Sequence, residues 1–139
     1  MAEPIRLIVY GTPRSQGSTR GFIPKGWKRP IITTDNKKLK PWRQEVTGAA
    51  VDLGLTAFEQ HVPLVMKLDF YFERPSSCSV KKRPAMTVKP DADKLVRAVF
   101  DSLKGVLYHD DAQVVDHRAR KHYGTPERVE IELKEQESA

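Results

Sequence analysis

Apolar residues fall along this chain in short runs separated by glycine, proline and charge. Ile5 to Tyr10 holds Ile, Leu, Ile, Val and Tyr with only Arg6 between them and closes on Gly11-Thr12-Pro13, which predicts a first strand leaving into a turn. Residues 14–29 are rich in Gly, Ser and basic side chains with Phe22, Ile23 and Trp27 interspersed, a loop or irregular hairpin that leads to a short strand at 30–34. Leu39, Trp42, Val46, Ala49, Ala50 and Leu53 then recur at three- and four-residue spacing. This predicts a helix over about 36–53, capped by Thr34 or Asp35 and stopped by Gly54. Pro41 can instead sit in a first turn, which moves the start to about Lys40.

Residues 62–73 are rich in Val, Leu, Phe and Tyr and read as a strand, followed by a polar loop without periodicity over 75–88. A second helix is predicted over 91–104, with Leu95, Val96, Val99 and Leu103 on one face and Asp93, Arg97, Asp101 and Lys104 opposite. Gly105 supplies its stop. The turn His109-Asp110-Asp111 leads to a strand at about 113–123, expected to hairpin through Gly124-Thr125-Pro126 into a last strand at 129–133. The expected fold class is α+β (mixed α/β): one domain over 1–139, two helices packed on one face of a small, mainly antiparallel or mixed sheet. Parallel crossovers would run through the helices, and the tail beyond Leu133, above all residues 135–139, is expected to fray.

Composition narrows the function. At 139 residues, 39% hydrophobic and 30% charged, the chain fits one folded core. The lone Cys78 cannot form an internal disulfide and has no partners at zinc-ligand spacing, which suits a reducing cytoplasm. No apolar run approaches the roughly 20 residues of a membrane span, and the start lacks the features of a signal peptide. The net charge of +6 favours a polyanionic partner. Its distribution is uneven: residues 74–97 hold seven Lys or Arg against two Asp, while the stretch from Pro126 carries five Glu against Arg128 and Lys134. A basic centre and an acidic end describe a binding face and a face turned away from it.

Lys89-Pro90-Asp91-Ala92-Asp93 puts two carboxylates two residues apart at a helix start, and Asp110-Asp111 returns after one helix and one turn. Mg²⁺ prefers oxygen ligands, takes a few carboxylates and completes its shell with water and phosphate. Such an ion serves phosphodiester hydrolysis. Spacing alone is equally compatible with Asp91 as an N-cap, Asp93 as a first-turn residue and Asp110-Asp111 as turn residues. Arg97 and Asp101 likewise read as a surface salt-bridge ladder with Asp93.

The ordered set Lys89-Pro90-Asp91-Ala92-Asp93-Lys94-Leu95, Arg97, Asp101-Ser102-Leu103, Gly105 and Asp110-Asp111-Ala112-Gln113-Val114-Val115 resembles the signature of the RusA-type Holliday-junction resolvases, in the form found in phages and prophages. The resemblance is close over about 89–121 and looser upstream. It implies a Mg²⁺-dependent (Mn²⁺ as substitute), homodimeric endodeoxyribonuclease that resolves four-way junctions by paired symmetric nicks in recombination and repair. Asp91, Asp93 and Asp111 match the family's catalytic, metal-binding acids, and Asp110 becomes the less essential neighbour. Arg97 stands where the family pattern commonly has a supportive Lys, and Lys94 where it usually has Asn.

Candidate DNA contacts are Arg14, Arg20, Lys25, Lys28, Lys89, Lys94 and Lys121, with Arg29, Phe22 and Trp27 in the same basic loop. For Lys121 a solvated strand lysine is the other reading. The competing functions are a non-catalytic basic DNA-binding module and a metal-dependent nuclease of forks or flaps.

Overall fold

The computed structural model describes residues 3–17, 20–22, 26, 31–33 and 37–137. The elements run β1 (Ile5–Tyr10), β2 (Arg20–Phe22), β3 (Ile31–Thr33), α1 (Leu39–Asp52), β4 (Leu64–Phe72), α2 (Ala92–Leu103), a 3₁₀ turn (Asp111–Gln113), β5 (Val114–Tyr123) and β6 (Arg128–Glu135). β2 and β3 pair antiparallel as a small hairpin of their own. The others form a mixed four-stranded sheet in the order β1-β6-β4-β5. This is the α+β class that the residue pattern predicts.

Strict alternation on β4 buries Leu64, Met66, Leu68, Phe70 and Phe72 and turns the intervening residues outward. In register, Leu7, Ile131, Leu68 and Ala119 form one row across the sheet on the side covered by the helices. The neighbouring row, Arg6, Glu132, Lys67 and Arg118, faces water, and Glu132 pairs there with Arg6 at 3.0 Å and Lys67 at 3.7 Å. α1 buries Leu39, Trp42, Val46 and Ala50, and α2 buries Leu95, Val96, Ala98, Val99 and Leu103. The two helices pack together, with Thr47 Oγ1 donating to the Ser102 carbonyl at 2.8 Å.

Several boundaries differ from expectation. α1 starts at Leu39 with Pro41 in its first turn, and the proposed caps Thr34 and Asp35 lie outside the described residues. Leu53, expected in the core, is 37% exposed because the helix has already ended at Asp52. β6 reaches Glu135, and Gln136 N–H donates to the Pro63 carbonyl at 2.8 Å, so the chain stays anchored beyond Leu133.

The predicted hairpin between the last two strands does not form. β5 pairs only with β4, in parallel, and β6 lies on the far side of β4. The reason is burial. β6 offers Val129, Ile131 and Leu133 to the core and earns a central place, whereas β5, with Asp116, His117, Arg118 and Arg120 exposed, belongs at an edge. To reach β6 the chain crosses the end of β4, where Gly124 N–H donates to the Phe72 carbonyl at 2.9 Å. A Cβ on Gly124 would stand 2.9 Å from Tyr71 Cδ1, so the crossing requires glycine.

Arg74 ties together several turns of the 75–88 loop. The Arg74 guanidinium donates to the carbonyls of Ser79, Arg83 and Pro84 and lies 4.2 Å from the Tyr123 ring centre. α2 is the crossover between parallel β4 and β5, so Asp91 enters it and Asp111 leaves it. Among the described residues no helix is long and apolar enough to cross a membrane.

Candidate active site

Asp91 is the N-cap residue of α2, in extended conformation, but its carboxylate makes no capping hydrogen bond. That leaves the plain structural role unfilled. Its charged partner is Lys94, whose Nζ lies 3.7 Å from Asp91 Oδ2 one turn along the helix. Asp93 is exposed in the first turn, where the helix dipole favours an acid. Arg97 is exposed on the same face and forms no ion pair with Asp93 or Asp101 among the described residues, so the predicted ladder is not built.

At the other end, Asp110 caps the 3₁₀ turn by accepting from Ala112 N–H at 3.0 Å, and the Gln113 side chain accepts from Asp110 N–H at 3.1 Å. Gln113 also donates to the Glu59 and Val62 carbonyls, which ties the turn to the chain ahead of β4. Asp110 thus has the structural role that its position suggested. Asp111 differs: its Oδ1 is buried without a hydrogen-bond partner. Burial raises its carboxyl pKa above the ordinary value, and the Asp101 carboxylate adds to this, while Lys104 and the Tyr108 hydroxyl pull it back. Burial likewise raises Tyr108, with Asp111 as the next cause, and the Tyr108 hydroxyl donates to the Phe100 carbonyl at 2.9 Å.

Sequence reasoning treated Asp101 as a surface residue and gave Gln16 no role. Here Asp101 is the acid on α2 beside Asp111 and accepts a hydrogen bond from Gln16 Nε2. Gln16 N–H donates to the Lys94 carbonyl at 2.9 Å, and Gln16 Oε1 is a second buried oxygen without a partner. The loop after β1 is therefore stitched to α2 at two points. The only local hint was that Asp101 shares the helix face of Asp93 and Arg97.

The acids flank the crossover rather than close on one point. Asp93 lies eight residues before Asp101, about 12 Å of helix rise. Among the described residues, no three His, Cys, Asp or Glu side chains gather at metal-holding range.

Of the candidate DNA contacts, Arg14 and Lys89 come together in a cleft of about 290 Å³ beside Pro90, floored by Phe72, Met86 and Tyr123. Lys121 Nζ donates to the carbonyls of Val88 and Pro90 at 2.7 and 2.9 Å. The side chains of Arg20 and Phe22, and residues Lys25, Trp27, Lys28 and Arg29, lie outside what is described.

Residues 11–134 match the family described as Endodeoxyribonuclease RusA. A Bacillus subtilis (strain 168) protein, "Uncharacterized protein YqaN", is 33% identical over 147 residues, covering 94% of this chain and 96% of that protein. The "Crossover junction endodeoxyribonuclease rusA" of Lactococcus phage r1t is 33% identical over 81 residues, 56% of this chain and 59% of the phage protein. With a basic loop, acids at both ends of one crossover helix and a family match that takes in both helices, β4 and β5, the chain belongs to the RusA endodeoxyribonuclease family.

Proposed function

We propose that this protein is a divalent-metal-dependent endodeoxyribonuclease that resolves four-way (Holliday) DNA junctions in the cytoplasm by paired, symmetric nicks. The observation that carries the reading is the buried, unpartnered Oδ1 of Asp111 beside the Asp101 carboxylate. An orphaned carboxylate oxygen next to a second acid is stabilised by a cation, and an all-oxygen donor set suits Mg²⁺, with Mn²⁺ as substitute. Asp111 would hold the ion at that end of α2, while Asp91 and Asp93, the other acids that the family resemblance implies as ligands, stand at the start of the helix. Mg²⁺ is usually bound through one or two carboxylates plus water and substrate phosphate, so the acids at the two ends of α2 need not all touch it. When bound, it neutralises charge on the scissile phosphate and makes water a better nucleophile.

The chain's own residues do the rest. Arg97, exposed and unpaired with the acids of its face, offers a planar fork to a phosphate oxygen. Arg14 and Lys89 hold the backbone on the other side of Pro90, and Arg20, Lys25 and Lys28 add positive charge to the sequence that follows Arg14. Lys94 screens Asp91 until a phosphate competes for its ammonium. A four-way junction approximates a twofold object, and cuts in two strands of like polarity call for two identical sites, hence a homodimer.

The test is cleavage of a mobile four-way junction with and without Mg²⁺, products mapped to the nucleotide, with forks, flaps and linear duplex alongside. Symmetric, metal-dependent nicks on the junction are expected. Asp93→Asn should still bind the junction and fail to nick it; undiminished cleavage by that variant would sink the site. Faster cutting of forks or flaps would shift the substrate, and binding with no cutting of any branched DNA would leave only a DNA-binding module.

A further inference from the structure

The cleft beside Pro90 holds more chemistry than a phosphate contact uses. Arg14 and Lys89 stand on it as cations, but its floor is apolar, made of the buried Phe72 and Met86 together with Tyr123. A DNA backbone needs the cations and has no use for such a floor. At about 290 Å³ the space lies just below the roughly 300–1,000 Å³ of drug-sized ligand sites, which suits a single ring system.

Two of its side chains are fixed before a ligand arrives. The Arg74 guanidinium lies 4.2 Å from the Tyr123 ring centre, and Arg83 donates to the Tyr123 hydroxyl at 3.4 Å, so the ring is a preset stacking surface. Glu127, which also lines the cleft, accepts from Thr12 Oγ1 at 2.6 Å and from Glu73 N–H at 3.0 Å, one donor on each oxygen. A carboxylate oxygen accepts two hydrogen bonds, so each has room for one more. The exocyclic amino group of a base fills that place, as when Glu accepts from cytosine N4. Thymine has no amino group and would turn carbonyl oxygens towards the carboxylate.

We infer that this cleft receives one unstacked nucleobase from the branch point of the junction, stacked on Tyr123, its amino group on Glu127 and its flanking phosphates on Arg14 and Lys89. The inference rests on the junction-binding part of the proposed function and needs no metal ion. Stacking is interrupted where strands exchange, and unstacking is least costly for a base that is already loosened. Linear duplex offers no such base. Arg14 and Lys89 thus serve any backbone, whereas the apolar floor favours branched DNA. Because Pro90 lines the cleft and Asp91 follows it, the captured base also sets the register of the strand at the start of α2.

The experiment places 2-aminopurine at successive positions around the branch point of a four-way junction and titrates wild-type protein in EDTA, with linear duplex alongside. Its emission should change at a position beside the branch point and nowhere in the duplex. Tyr123→Leu should abolish that change and weaken junction affinity by about 5- to 150-fold, the range for a lost base–aromatic stack. Duplex affinity should fall by less than about threefold, as the phosphate contacts remain. Tyr123→Phe keeps the ring and should recover most of the loss. With each base in turn at the captured position, wild type should disfavour thymine by roughly 5- to 20-fold, the scale of a hydrogen bond to a charged group, and Glu127→Gln should narrow this gap.

Unchanged emission at every branch-point position, with the junction bound, would overturn the inference, and that readout needs no variant to fold. So would equal losses on junction and duplex in Y123L at unchanged Tm, which would make the cleft a general backbone contact. Equal affinity for all four bases in wild type would overturn the role of Glu127. Wild type that binds junction no better than linear duplex overturns the junction reading itself, a distinct result that takes the inference with it.

Discussion

Lys94 folds back along the first turn of α2 so that its ammonium lies 3.7 Å from Asp91 Oδ2. The two side chains are 43% and 52% exposed, and a pair this open to water contributes about 0–1 kcal/mol to stability. Its larger effect is on Asp91 as a proposed metal ligand, since a cation beside a carboxylate competes with a metal ion for it.

Lys94→Asn should therefore release Asp91 at little cost to the fold. The Mg²⁺ concentration for half-maximal nicking should fall several-fold, with Tm nearly unchanged. A titration of nicking rate against Mg²⁺ reads this directly, and an unchanged or higher midpoint would show that Lys94 is neutral towards the metal or helps to bind it.

The adjacent aspartates 110 and 111 should respond with opposite signs. The Asp110 side chain caps the 3₁₀ turn, so Asp110→Ala should destabilise the protein by about 1 kcal/mol, seen in urea unfolding, while nicking persists.

Asp111→Asn should abolish metal-dependent nicking yet stabilise the metal-free protein at neutral pH. The folded protein holds the Asp111 carboxyl above its unfolded value, chiefly through burial and then through Asp101. Ionising it therefore works against the fold. Its contribution is most favourable below the unfolded value, about pH 3.9, and declines as pH rises through the raised folded value. The Tm difference between D111N and wild type should grow across that window, and added Mg²⁺ should shrink it. A difference that is flat with pH would remove the electrostatic account.

Arg97→Ala should leave Tm within about 0.5 kcal/mol of wild type, because the side chain is exposed and tied to neither acid on its face. Nicking should fall on the order of 100-fold, as when one donor to a transition-state oxygen is lost. Arg97→Lys should recover much of the rate. Full activity in R97A would assign Arg97 to the solvated surface.

Where local pattern decides structure, the chain was readable. β1 has the predicted bounds, and α2 differs by one residue at each end, because its apolar stripe and Gly105, at φ +83°, leave little choice. The β5–β6 pairing was misread because Gly124-Thr125-Pro126 marks a reversal without saying which strand the chain rejoins. That was settled by the apolar row of β6, which fills the gap between β1 and β4. The acids themselves were legible as a spacing. Gln16 meeting Asp101 and Lys121 meeting Pro90 join positions 85 and 31 residues apart, and no local periodicity encodes such contacts.

β5 is hydrogen-bonded on one flank only, yet Asp111 lies just ahead of it and Lys121 along it. Peeling this strand from β4 would leave β1, β6 and β4 paired while removing one acid and the lysine that holds the Val88 and Pro90 carbonyls in a single event. Activity should then be lost before global unfolding as temperature rises, with amide exchange quickening first along 114–123. The edge strand would act as the fuse of the enzyme.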